Sequence, residues 1–302
     1  MTDDDATPNP APLPENVSIE TSRPCGRTCV RCRNGLPGPR RHQDLMDLAL
    51  FHRIVEELGH LGYAGRLTLH HHSDPLLNRR LLEEIRHIRA AAPDAQPAIR
   101  THGDRLDHAM FRRLLRAGLG HLQVVRYPRR VDAPSSYAPI RVWLHRAGLL
   151  DRYAWQLEPL PDGGGVQAVL DMAGCRVEVV SPAIRGVDDG YDNRSRAWRA
   201  PAAARAAPSS TASAAATRAA DRTRTQPCRA TTTSAVVDLS GRLKMCRHVH
   251  AWIPAYAGYL IGDLNAASFA ELWGSARMAA YRAAHARADW SLSPLCASCA
   301  DR

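Results

Sequence analysis

The sequence predicts an α/β protein: a partial (β/α)6, TIM-like barrel followed by a small C-terminal cysteine-bearing domain. Three observations carry this. Strand-like and helix-like stretches alternate from residue 17 onward. A low-complexity Ala/Ser/Thr/Arg run at 199–226 shows no apolar period and reads as a linker. Beyond it, the short segment 227–302 holds Cys228, Cys246, Cys296 and Cys299. The expected organisation is a disordered lead (1–16), a barrel (17–198), a linker (199–226) and the tail domain (227–302).

"VSIETS" (17–22) is β-branched and alternating, so it reads as the first strand, with a cysteine loop behind it. In 44–62, Leu48, Phe51, Ile54, Val55 and Leu58 recur at helical spacing. "GRLTLHHH" (65–72) reads as a strand, 78–91 as a helix, "PAIRTHGD" as a strand end and 106–119 as a helix. "HLQVVRY" (121–127) is a strand, "PIRVWLHRAGLL" helical, "YAWQLEPL" a strand, "GVQAVLDMAG" a short helix and "CRVEVVSPAI" a strand. In repeated βα folds chemistry gathers at the C-terminal ends of the strands. The cysteine loop, "HHHSDP", "THGD", "RYP" and "EPLPDGGG" all fall there.

With 302 residues and 45% hydrophobic content the chain supports a sizeable core. No apolar run approaches the ~20 residues of a membrane span. The first residues are acidic and proline-rich without an apolar signal core. The expected compartment is therefore the cytoplasm, where thiols stay reduced. The net charge of +10 is almost all arginine, with Lys244 the one lysine, and it is scattered without a basic stripe. No nucleic-acid partner is expected.

Cys25, Cys29 and Cys32 form a C-x3-C-x2-C loop with no fourth cysteine or histidine close behind. Three thiolates leave a tetrahedral zinc site unfinished, whereas a 4Fe–4S cluster held by three cysteines keeps one iron open for an external ligand. In the tail, Cys228, Cys246, Cys296 and Cys299 can close a site completely, and their local spacing leaves zinc and iron–sulfur both open. Cys175 stands apart from both sets. It begins its strand, at the face opposite the strand ends, and reads as a buried structural thiol rather than a hydrogen donor. In the run His70, His71 and His72, strand alternation keeps the three from entering one site together. Glu158, Arg126 and Tyr127 lie at strand ends: contact of Glu158 with a cofactor ribose or substrate, contact of Arg126 and Tyr127 with a cofactor carboxylate or substrate, and ordinary solvated rim polarity are all open readings.

The C-x3-C-x2-C loop after the first strand of a βα chain resembles the radical S-adenosylmethionine superfamily. The C-x12-G-x4-C spacing and final CxxC of the tail resemble the Twitch form of its SPASM-type extension. "YDNRSR" (191–196) and "YLIGDLNAASFAELW" (259–273) are similar to stretches that flank and enter that extension. The resemblance implies two 4Fe–4S clusters. One, on Cys25, Cys29 and Cys32, binds S-adenosyl-L-methionine; the other, auxiliary, sits on Cys228, Cys246, Cys296 and Cys299. It places Ser73 and Asp74 where the family holds the methionine amino group, and His102 and Asp104 in the turn after the third strand. Arg31 stands where the family commonly has an aromatic residue. The implied activity is reductive cleavage of S-adenosylmethionine and hydrogen-atom abstraction from a natural-product intermediate, a sugar or cyclitol, by dehydrogenation or epimerisation. An electron donor such as flavodoxin or ferredoxin is implied as partner. Maturation of a ribosomally made peptide is the alternative substrate reading. A non-catalytic metal-binding protein on a degenerate barrel is the alternative of another class.

Overall fold

The computed structural model describes residues 11–27, 45–127, 136–172, 174–183, 224–251 and 253–299. Strands β1 (Asn16–Ile19), β2 (Arg66–Thr68), β3 (Gln96–Thr101) and β4 (His121–Val125) lie side by side and parallel. The connections between them carry helices α1 (Leu48–His60), α2 (Leu81–Ala91) and α3 (His108–Ala117). Alternation along the strands divides the sheet into two faces. Val17, Ile19, Leu67, Leu69 and Ile99 belong to one buried core with Phe51, Ile54 and Leu58 of α1, Ile85 and Ile88 of α2, and Phe111 and Leu114 of α3. The opposite face is polar: Thr68 donates to Asn16, Asn16 to Ser18, and Gln123 to Glu178. Side-chain caps fix where helices start, with Asp47 accepting from Leu50 N at 2.9 Å and Asp107 from Met110 N at 2.7 Å.

Helix α4 (Ala138–Arg146) leads to β5 (Gln156–Pro159), β6 (Gly165–Met172) and β7 (Cys175–Pro182). The tail supplies α5 (Ala230–Thr233), β8 (Ser234–Val237), β9 (Arg242–Lys244), β10 (Leu260–Asp263), α6 (Phe269–Gly274) and α7 (Ala276–Ala286). All ten strands form one sheet in the order β10-β9-β8-β1-β2-β3-β4-β7-β6-β5. The α/β architecture and its parallel βα core match the expectation. Among the described residues no helix is long and apolar enough to cross a membrane.

Four features differ from the sequence reading. Residues 165–172 are strand β6, not a short helix: they pair antiparallel with β7 through eight residues, from Gly165↔Pro182 to Met172↔Cys175. A central run covered on both faces has no period to separate strand from helix. The tail is also part of the sheet, because β8 pairs parallel with β1 from Asn16↔Ser234 to Ile19↔Val237. Of the lead read as disordered, Pro12 accepts a hydrogen bond from Trp273 Nε1, and Ala11 and Leu13 pack on the core. Finally, β2 ends at Thr68, so strand alternation does not govern the histidine run behind it. The linker segment 199–223 and the 191–196 motif lie outside the described residues.

The tail is also anchored to the barrel helices. Glu57 of α1 accepts hydrogen bonds from Phe269 N and Ala270 N at 2.8 and 2.9 Å, at the first turn of α6. The same turn carries a Ser268–Glu271 capping box.

Candidate active site

Cys25 follows β1 on the C-terminal side of the sheet and is half-buried; Cys29, Cys32 and Arg31 lie outside the described residues. Its neighbour Pro24 accepts a hydrogen bond from Asp74 N at 3.0 Å, which ties the cysteine loop to the end of β2. Asp74 is buried, and its Oδ1 accepts from Thr101 Oγ1 at 2.7 Å and from Leu76 N at 3.1 Å. One side chain thus joins the ends of β2 and β3 and caps the short 3-10 turn Pro75–Leu77.

Three further polar atoms are buried here without a hydrogen-bond partner: Ser22 Oγ after β1, Ser73 Oγ after β2 and His102 Nδ1 after β3. Burying such groups unpaired is costly. Their meeting at adjacent strand ends, beside the Asp74 carboxylate, suits a polar, cationic ligand. Burial, and then the charge of Arg27, lower the pKa of His102 below its ordinary value, against the pull of Asp74 and Asp104. The imidazole is therefore neutral near pH 7.

Asp104 closes the rim. It accepts from Arg27 Nε and Nη2, both at 2.5 Å, and from Arg126 Nη1 at 3.3 Å. Burial pushes its carboxyl up, but the two arginines, Arg27 first, outweigh that and hold it below the usual carboxylate range. Arg126 also donates to the His102 carbonyl at 2.5 Å. Trp143 of α4 donates from Nε1 to the Gly103 carbonyl at 3.1 Å and supports the same turn. Sequence reasoning missed Arg27 and Trp143. Arg27 sits within the cysteine motif, which was its only available signal.

Ser73, Asp74, His102, Asp104 and Arg126 thus meet at the ends of β2, β3 and β4. Glu158 lies three strands across the sheet from β4. It lies on edge strand β5, accepts from Gln167 Nε2 at 2.9 Å, and shares a row with Gln167, Val180 and Val125. Cys175 opens β7 at the far end of the sheet, and burial pushes its thiol up to about 12. The register pairs Val180, not Cys175, with the active end of β4, leaving Cys175 roughly 16 Å away at ~3.3 Å per residue.

The tail brings a second cysteine set together. Cys228 N donates to the His285 carbonyl, Cys246 follows β9, and Cys299 N donates to the Cys296 carbonyl across a 3-10 turn. Burial pushes the Cys246 thiol up to about 12, and Cys296, Cys299 and Cys228 raise it further. Burial likewise takes Cys296 to about 11, with Cys299 and Cys228 adding to it. These mutual influences place the four tail cysteines near one another. Yet among the described residues no group of three or more His, Cys, Asp or Glu is placed to hold a single metal ion. Zinc draws four sulfurs to within ~3.8 Å of one another, from a Zn–S bond of ~2.3 Å. Four reduced cysteines in one set are the donors that a 4Fe–4S cluster takes.

Comparison with known proteins agrees. Residues 228–300 match the SPASM family of iron–sulfur cluster-binding domains. A 103-residue stretch is 32% identical to the S-adenosyl-L-methionine-dependent 2-deoxy-scyllo-inosamine dehydrogenase of Niallia circulans. It covers 34% of this chain and 41% of that enzyme, so less than half of the relative is matched. The crystal structure of BtrN in complex with AdoMet and 2-DOIA superposes with a TM-score of 0.64 at 20% identity, over 96% of this chain and 94% of the other. BtrN in an open conformation gives 0.59 at 18% identity, with the same coverage. The chain thus has the fold of BtrN, and its C-terminal residues 228–300 match the SPASM family of iron–sulfur cluster-binding domains.

Proposed function

We propose that the protein is an S-adenosylmethionine-dependent oxidoreductase that dehydrogenates a secondary alcohol of an aminocyclitol or a related sugar-like molecule. The observation that carries this is one mixed sheet with a parallel βα core and two cysteine sets: Cys25, Cys29 and Cys32 behind β1 in the chain, and Cys228, Cys246, Cys296 and Cys299 in the SPASM-family tail. Bound at the first set, a 4Fe–4S cluster with S-adenosylmethionine supplies the chemistry that removes a hydrogen atom from an unactivated C–H bond.

The chain's own residues bind and orient. Asp74 offers its carboxylate to the methionine ammonium while Thr101 and Leu76 N hold it in place. Ser73 Oγ and His102 Nδ1 supply polar contacts that no described residue satisfies. The Arg27–Asp104–Arg126 group stiffens the rim around them. Such preorganisation spares the site reorganisation at the moment of reaction. Oxidation is favoured over epimerisation, because the one cysteine outside both sets, Cys175, sits at the far end of the sheet from the strand ends that carry Asp74. The second set would then hold the electron-accepting cluster, and a small flavodoxin or ferredoxin would reduce the one held by the first. Clusters of this kind, and eight reduced cysteines, suit the cytoplasm.

Anaerobic reconstitution tests the reading. It expects about eight irons per chain, and 5′-deoxyadenosine on incubation with dithionite, S-adenosylmethionine and 2-deoxy-scyllo-inosamine. Stoichiometric zinc, or no cleavage of S-adenosylmethionine under reduction, overturns it.

A further inference from the structure

The seam between the barrel and the tail holds a column of rings that the reading above leaves unused. It starts just past β2, where the His71 and His72 rings lie 3.9 Å apart between centroids. His72 meets His250 of the tail at 5.0 Å. His250 is buried and stacks on Tyr256 at 6.2 Å, with the planes only 22° apart. Tyr256 in turn lies against the tail thiols: burial raises its pKa first, then Tyr259, Cys246 and Cys296. Three imidazoles and a phenol thus run from the strand ends carrying Asp74 toward the SPASM-domain cysteines.

We infer that His72 is the base that accepts the hydroxyl proton in the oxidation, with His250 positioning it and leading toward the auxiliary cysteine set. This rests on the proposed dehydrogenation. After a hydrogen atom has left the substrate carbon, completing a ketone requires the O–H bond to break, the C=O double bond to form, and one proton and one electron to depart. Cys228, Cys246, Cys296 and Cys299 would hold an oxidised 4Fe–4S cluster, and that cluster would take up the electron. The proton goes to an imidazole nitrogen of His72. Of the side chains, imidazole is the one whose ordinary pKa suits taking up a proton near neutral pH. Proton and electron leave toward the same seam, so little charge separates as they go. His72 has the right place for the acceptor: two residues before Asp74, on the barrel side, with its ring turned toward the tail.

The test uses the reconstituted two-cluster protein with S-adenosylmethionine and 2-deoxy-scyllo-inosamine, and reads ketone formed per 5′-deoxyadenosine formed. In His72→Gln the ratio is expected to fall at least fivefold. In His72→Ala added imidazole is expected to restore at least half of the lost ratio, which a purely structural histidine would not allow. His250→Gln is expected to lower the ratio by a smaller factor and to shift the pH at which it is half-maximal. If His72→Gln fails to keep its iron, the His250→Gln ratio and pH profile decide. Ratios within twofold of wild type, with no rescue by imidazole and no shift in the His250 variant, overturn the assignment. A wild-type protein that makes no 5′-deoxyadenosine counts instead against the proposed function itself.

Discussion

Replacing Asp74 by asparagine and by alanine separates its structural role from its role in binding. Its Oδ1 receives two hydrogen bonds, from Thr101 Oγ1 at 2.7 Å and Leu76 N at 3.1 Å, and the side chain is 4% exposed. Hydrogen bonds to a charged acceptor contribute about 1.5–3 kcal/mol each, so Asp74→Ala should cost about 3–5 kcal/mol and leave two buried donors unpaired. Asparagine keeps a carbonyl oxygen in the same position and should cost only about 1 kcal/mol. What it cannot keep is the negative charge offered to the methionine ammonium. Losing that charge-assisted contact should weaken S-adenosylmethionine binding about 10- to 100-fold, at ~1.4 kcal/mol per tenfold. Urea unfolding of both variants, with calorimetric titration of S-adenosylmethionine into the reconstituted Asp74→Asn protein, reads the two effects apart. Binding within twofold of wild type in Asp74→Asn would refute the cofactor role. Unchanged stability in Asp74→Ala would refute the structural one.

Other positions give sharp expectations. Gly103 has φ +73°, and a Cβ there would meet Val124 Cγ1 at 2.7 Å and Trp143 Cζ2 at 2.8 Å. Gly103→Ala should therefore destabilise by about 2–3 kcal/mol in thermal melts; an unchanged midpoint would contradict the crowding. Glu178 is held near pKa 2, against an ordinary 4.5, first by His121 at 3.2 Å and then, with burial opposing, by Arg176 and Gln123. Because the folded value is depressed, its stabilisation is present above about pH 4.5 and is lost as pH falls toward 2. Urea midpoints of Glu178→Gln should accordingly lie well below wild type at pH 6, approach it as pH falls below 4.5 and converge with it only near pH 2; a gap that stays constant would show that Glu178 is not the titrating group. Cys175→Ala should keep its turnover and lose about 1 kcal/mol of stability from a small cavity; abolished turnover with an intact fold would reopen the hydrogen-donor reading.

The parallel βα core was legible because each of its helices shows one face at a period of 3.6, as Phe51, Ile54, Val55 and Leu58 do, and each strand is short and bounded by turn residues. The C-x3-C-x2-C loop and the final CxxC of the tail were legible as motifs because their spacing is local. What the sequence hid was long-range. Pairing of β8 with β1 joins residues more than two hundred apart, and no local pattern announces it. The helix expected at 165–172 failed for a related reason: between covering layers on both faces, Ala168, Val169 and Leu170 lose the alternation that marks a strand. The rim followed the same rule. Asp74 was named from its place in the chain, but its partner Thr101 and the Arg27–Asp104 contact depend on strand ends meeting in space. The histidine run was misjudged because β2 stops at Thr68, freeing the His71 and His72 rings to meet each other and then His250.

The central claim is that a substrate hydrogen atom is taken up by S-adenosylmethionine bound at the Cys25, Cys29 and Cys32 site. Incubating the reduced, reconstituted protein with 2-deoxy-scyllo-inosamine deuterated at its carbinol carbons measures this directly. The account predicts 5′-deoxyadenosine carrying one deuterium per molecule, formed in equal amount with the ketone. Unlabelled 5′-deoxyadenosine, or ketone formed without it, would contradict the claim.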